Sequence, residues 1–178
     1  MAIFKRRLPS RQDLLYVFAA CAFPVHVWLI INVMREVPAW ILRLSMWDLL
    51  GVVAYSLLFA LLETAVVTVF FVVLGMMLPQ RWIQGRFVSL ATLLVMISAV
   101  WFVVLHYNSQ AIENRQIVTL GIWLASYLLV MGGAVLALYR SQRVETAVAA
   151  FVQRLVVLSF FYIVVDIFGL FIVISRQF

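Results

Sequence analysis

The stretch Leu49–Leu78, LLGVVAYSLLFALLETAVVTVFFVVLGMML, decides the fold. It carries one charged side chain, Glu63, and no proline. One crossing of a bilayer needs about 20 apolar residues. At helical rise this run extends about 45 Å, which exceeds the ~30 Å hydrocarbon core, so a tilt or a protruding end is expected.

Four more apolar runs flank it. Leu14–Met34 follows Pro9 and an S-x-x-D start signal, Ser10 and Asp13. Lys5, Arg6, Arg7 and Arg11 precede it, and Ala20-Cys21-Ala22 could imitate a signal-peptide cleavage point. The apolar run continues well past that point, so it is read as a retained first helix. Glu36–Leu44, with Pro38, Trp40 and Arg43, reads as a short element at the interface, where Trp prefers to lie. Ser45 and Asp48 repeat the start signal. Pro79 stops the second run, and a loop over 80–86 leads to Phe87–Tyr107. Asn108–Gln116 is a polar loop in which Asn114 is expected to cap the next run, Ile117–Tyr139. Ser141 is the expected cap before Ala147–Ile174. The expected fold is an all-α integral membrane protein, one five-helix transmembrane bundle over residues 1–178, with spans near 14–34, 49–78, 87–107, 117–139 and 147–174.

Composition agrees. The chain is 67% hydrophobic and 11% charged, against about 45–50% and about 25% in soluble domains. Mean hydropathy is +1.14. The net charge of +6 is spread over the connections and forms no dense patch with interleaved aromatics, so nucleic acid is not an expected partner. It sorts by side instead. Lys5, Arg6, Arg7, Arg11, Arg81, Arg86, Arg140, Arg143 and Arg154 fall on one side, nine of the 13 cations; Arg35, Arg43, Arg115 and Arg176 make up the other four. The positive-inside rule then places the N-terminus in the cytoplasm and the C-terminus outside. The expected location is a multi-pass position in a plasma membrane of prokaryotic type. A single cysteine, Cys21, excludes an internal disulfide and a multi-cysteine metal site; no metal or cofactor is expected.

Polar groups within the runs are the candidate site. An ionised acid at the bilayer centre costs about 2.5–3.5 kcal/mol. Glu63 lies at the middle of its run, and His26 and Asp166 lie outward of the middle of theirs, so all three are expected between the midplane and the outer leaflet, and they could meet if the first, second and fifth helices are neighbours. Ser159, Tyr162, Asp166 and Gly169 share one helical face. His26, Glu63, Tyr162 and Asp166 are therefore the expected polar cluster. Small residues let helix backbones approach in lipid, so Ser56, Ala60, Thr64, Gly121, Ala125, Gly132 and Gly169 are the expected helix-packing positions.

No phosphate-binding loop, zinc-binding helix motif, nucleophile elbow or cysteine cluster is present, and an enzyme is not expected. The first expectation is a non-catalytic membrane subunit or anchor that positions a partner protein, or assembles with its own copies, in the lipid bilayer. A small oligomeric proton- or cation-coupled transporter using the intramembrane acids is the second. A lipid- or quinone-binding membrane protein or an intramembrane enzyme is the third.

Overall fold

The structure, a computed structural model, describes residues 9–77 and 85–177. Lys5, Arg6, Arg7, Pro79, Arg81 and Trp82 lie outside them. Among the described residues all regular structure is helical, in six helices. These are α1 (Arg11–Ile41), α2 (Met46–Met77), α3 (Phe87–Tyr107), the one-turn α4 (Ser109–Glu113), α5 (Ile117–Arg140) and α6 (Gln142–Ser175). Five of them, all except α4, are long and apolar enough to cross a membrane. The protein is a multi-pass membrane protein by that length and composition.

Local chemistry sets the starts. Ser10 Oγ accepts from the Asp13 amide at 3.1 Å, and the Asp13 carboxylate accepts from the Ser10 amide at 3.0 Å. This reciprocal pair satisfies two donors that a helix start leaves unpaired. At α2, Ser45 Oγ accepts from the Asp48 amide and donates to the Asp48 carboxylate. Two expected details differ. The segment after Met34 is no separate interfacial element: α1 runs through Pro24 and Pro38 to Ile41. Proline removes one amide from the ladder, and the bonds around it carry the helix on. Gln116, not Asn114, precedes α5; Asn114 instead closes α4, and Arg115 turns the chain at φ 50°.

α1 and α6 form the centre. α1 packs on α2, α3 and α6, while α6 also meets α2, α3 and α5. The α1 face towards the core is built from Val17, Ala19, Ala20, Cys21, Ala22 and His26, all buried. Four of the six are alanine or cysteine, so neighbouring backbones can come close. α5 is peripheral: it packs on α3 and α6, and none of its most apolar 18-residue stretch is buried within the chain. Outward side chains of α2 such as Phe59, Leu62, Val66 and Val69 are 60–68% exposed, the pattern of a helix whose solvent is hydrocarbon.

Candidate functional site: a buried histidine–aspartate couple and an amphipathic groove

Val152, Leu155, Ser159, Tyr162, Asp166, Gly169 and Val173 form one buried stripe along α6. Gly169 lets this stripe meet α2, since a Cβ there would lie 3.3 Å from both the Ala54 carbonyl oxygen and Leu57 Cβ. Asp166 faces α1, where His26 Nε2 is 3.2 Å and 3.1 Å from its two carboxyl oxygens. His26 Nδ1 lies 2.9 Å from the Ala22 carbonyl oxygen. A carbonyl can only accept, so Nδ1 carries a proton. One further proton is then shared between Nε2 and the carboxyl group. With it on nitrogen the couple is imidazolium and carboxylate; with it on oxygen both partners are neutral. The couple has no net charge either way, which suits two side chains that are each 2% exposed. The Tyr162 ring stacks on the imidazole, with centroids 4.7 Å apart and planes 11° from parallel. Chemically, the couple ties α1 to α6 and can pass its proton between two atoms without changing its total charge.

Glu63 stands apart from this group. It is exposed, on α2, and makes no hydrogen bond or ion pair among the described residues. The expected quartet thus divides: His26, Tyr162 and Asp166 come together, and Glu63 faces a different space. That space is a groove of about 700 Å³ between α1, α2 and α3, within the usual size range of ligand sites.

α2 is fastened to different neighbours at its two ends. At one end α2 is held to α6, by Gly169 and by Arg176. The Arg176 guanidinium donates to the Trp47 carbonyl at 2.7 Å and to the Asp48 carboxylate at 2.9 Å. Gly51 leaves room for it, since a Cβ there would collide with the guanidinium. At the other end α2 is held to α3. Phe71 joins Ala91, Val95, Val17 and Cys21 in one apolar cluster, and Phe87 lies where a Cβ on Gly75 would be. Between these ends Glu63, Val67 and Phe70 of α2, Ala99, Phe102 and Val103 of α3, and Pro24, Val25 and Trp28 of α1 line the groove.

The groove is mostly apolar, and its polar side chains are Glu63, His106 and Ser109, with Ser98 one turn from Val95. Its closed end carries Cys21, Phe71 and Val95. Eight residues along α2 from Phe71, about 12 Å at helical rise, stands Glu63. Seven residues along α1 from Cys21, about 10 Å, stands Trp28. Its ring is edge-on to His106, with centroids 5.0 Å apart. Ser109 and Ile112 of α4 complete this end. Among the described residues, no lysine or arginine lines the groove.

The chain matches no protein-family model, no curated protein and no solved structure. Its chemistry must be read from its own geometry. Among the described residues, no group of three or more His, Cys, Asp or Glu side chains could hold a metal ion.

The expected packing positions also divide. Ala60 and Thr64 are buried, Ser56 is half-buried and donates to the Val52 carbonyl at 2.8 Å, and Gly169 packs as described. Thr64 Oγ1 is buried without a hydrogen-bond partner. Gly121, Ala125 and Gly132 face outward instead, and a Cβ on either glycine would meet nothing within 4 Å. They pack no helix of this chain, because α5 meets α3 through larger groups. Ser98 and Tyr127 share a hydrogen bond of 2.9 Å, Trp101 Nε1 donates to Ser126 Oγ at 3.2 Å, and Trp123 Nε1 donates to the Trp101 carbonyl at 3.1 Å. The sequence reading missed this polar seam. Its trace was present: Ser98 with Trp101, and Trp123 with Ser126 and Tyr127, are three or four residues apart, and each set shares a helix face.

Proposed function

We propose that the protein is a membrane-embedded binding protein that holds a membrane-dissolved amphiphile in the α1–α2–α3 groove. The observation that carries this reading is the groove itself. It lies among three helices that are each long and apolar enough to cross a membrane, and its lining is mostly apolar, with Glu63, Ser98, His106 and Ser109 as its polar side chains. A molecule already dissolved in the bilayer would enter it without crossing water. The proposed orientation is N-terminus inside, in a plasma membrane of prokaryotic type, supported by the nine-to-four division of the 13 cations.

Native mass spectrometry of the protein released from membranes in mild detergent tests the reading. A stoichiometric adduct of lipid mass is expected, and Ala99→Trp, which fills the groove wall, should remove it. Absence of any adduct, or an adduct that Ala99→Trp leaves unchanged, would refute it. Fusions of a cytoplasm-active reporter to each terminus test the orientation; activity at the C-terminus would reverse it.

A second reading is an anchor that positions a partner protein, or a second copy, through α5. It is supported by the outward line of Gly121, Ala125 and Gly132, since glycine weakens a helix by ~1 kcal/mol relative to alanine in water and gains no packing inside this chain. Cross-linking in membranes tests it. Gly121→Leu with Gly132→Leu should abolish a discrete cross-linked species while leaving monomer stability intact. A wild-type chain that cross-links to nothing removes this reading.

A further inference from the structure

We infer that the groove selects an amphiphile with a cationic ammonium head, seated head-first at Glu63 with its tail directed towards Phe71. This inference rests on the groove being a binding site and adds what it recognises.

The first argument is charge. Among the described residues, Glu63 is the one acidic residue lining the groove, and no lysine or arginine lines it. The carboxylate has no partner among the described residues, and carboxylates are costly in hydrocarbon. A ligand cation would neutralise it and lose its own desolvation cost in the same contact. An anionic head would add repulsion.

The second argument is the aromatic wall at the same end. Trp28 is the preferred ring for a cation contact. Its edge-on packing against His106, at 5.0 Å and 82°, fixes the plane of the indole. A fixed indole lining the same groove as an acid suits an alkylated ammonium group.

The third argument is length. From Glu63 to the closed end at Phe71 is about 12 Å at helical rise, a distance that a single extended alkyl tail spans. The closed end offers Cys21, Val95 and Phe71, all apolar and buried.

The test uses three photoactivatable probes with one dodecyl tail, a diazirine at its end, and a trimethylammonium, a sulfate or a maltoside head. Each is added to the full-length protein in maltoside micelles, and labelled peptides are located by mass spectrometry. The ammonium probe should label the segments around Cys21, Phe71 and Val95 and should outcompete the sulfate probe by about tenfold or more. Glu63→Gln should remove that preference, and Trp28→Leu should weaken it. Both positions can be changed without touching the histidine–aspartate couple, and an unaltered melting temperature confirms that the variants fold. Labelling of the groove by all three probes alike, or a preference that survives Glu63→Gln, overturns the head assignment and leaves the groove standing. Failure of every probe to label these segments overturns the groove as a binding site, and this inference with it. A preference for ammonium that dilution with phosphatidylethanolamine erases identifies the lipid headgroup as the source of the same cation.

Discussion

Replacing His26 by leucine and Asp166 by alanine, singly and together, tests whether the two side chains act as one unit. Each is 2% exposed, and each supplies the other's buried polar contact at 3.1–3.2 Å. His26→Leu strands the Asp166 carboxyl group among apolar neighbours. Asp166→Ala strands Nε2, while Nδ1 keeps its bond to Ala22. An orphaned neutral polar group costs about 1–3 kcal/mol, and an orphaned buried charge about 3–5 kcal/mol. The double variant strands neither. It should therefore be more stable than the sum of the two losses predicts, by a coupling energy of about 1–3 kcal/mol. Asp166→Asn is the informative fourth variant. Its amide can donate to the free lone pair on Nε2, so a neutral hydrogen bond survives and the loss should stay near ~1 kcal/mol. Reversible unfolding by SDS in mixed micelles, followed by circular dichroism, provides the measurement. If the two single losses simply add in the double variant, the couple is not a unit and the proton-sharing argument fails.

The other predictions concern packing. Gly169→Leu should cost about 1–3 kcal/mol by overpacking against Ala54 and Leu57, read in the same SDS titration; Gly132→Leu, on open surface, should leave unfolding of the monomer unchanged. Gly51→Ala should release the Arg176 clasp as fully as Arg176→Ala does, with no further effect in the double variant. A nitroxide at Gln177 would report the release as faster motion, and high salt should loosen the wild-type clasp, because Arg176 and Asp48 are 24% and 50% exposed. Tyr127→Phe should loosen α5 by removing the bond to Ser98, seen as faster amide exchange in α5 than in α6.

What the sequence disclosed follows from what lipid does to composition. Five helices were legible because hydrocarbon tolerates only long apolar runs. The α6 stripe was legible because Ser159, Tyr162, Asp166 and Gly169 stand out against apolar residues at helical spacing. The meeting of His26 and Asp166 was foreseeable from their depth. The side on which Glu63 lies was not. Around α2 most residues that face lipid, groove and neighbour alike are apolar; Ser56, Ala60 and Thr64 mark a packing face but do not tell on which side of it Glu63 lies. The same ambiguity holds for Gly121, Ala125 and Gly132, which face away from the rest of this chain: a small residue permits a close approach but does not say which helix will make it. The end of α1 was misplaced for another reason. Pro38 reads as a stop, yet a helix already built below it needs only to lose one bond.

The two fastenings of α2 have a mechanical consequence. The helix spans 32 residues, about 48 Å, and is fastened to α6 near its start and to α3 near its end. A rod longer than its container changes angle when the container changes depth. α2 is also one jaw of the groove, pivoting where Phe87 fills the space beside Gly75. Bilayer thickness should therefore act as a calliper on the groove: thin membranes lay α2 over and part the jaws, and thick ones draw them together. Spin labels at Leu62 and Phe102, measured across lipids of increasing chain length, should report a steadily shrinking separation; a constant distance would mean that the fastenings, not the membrane, set the angle.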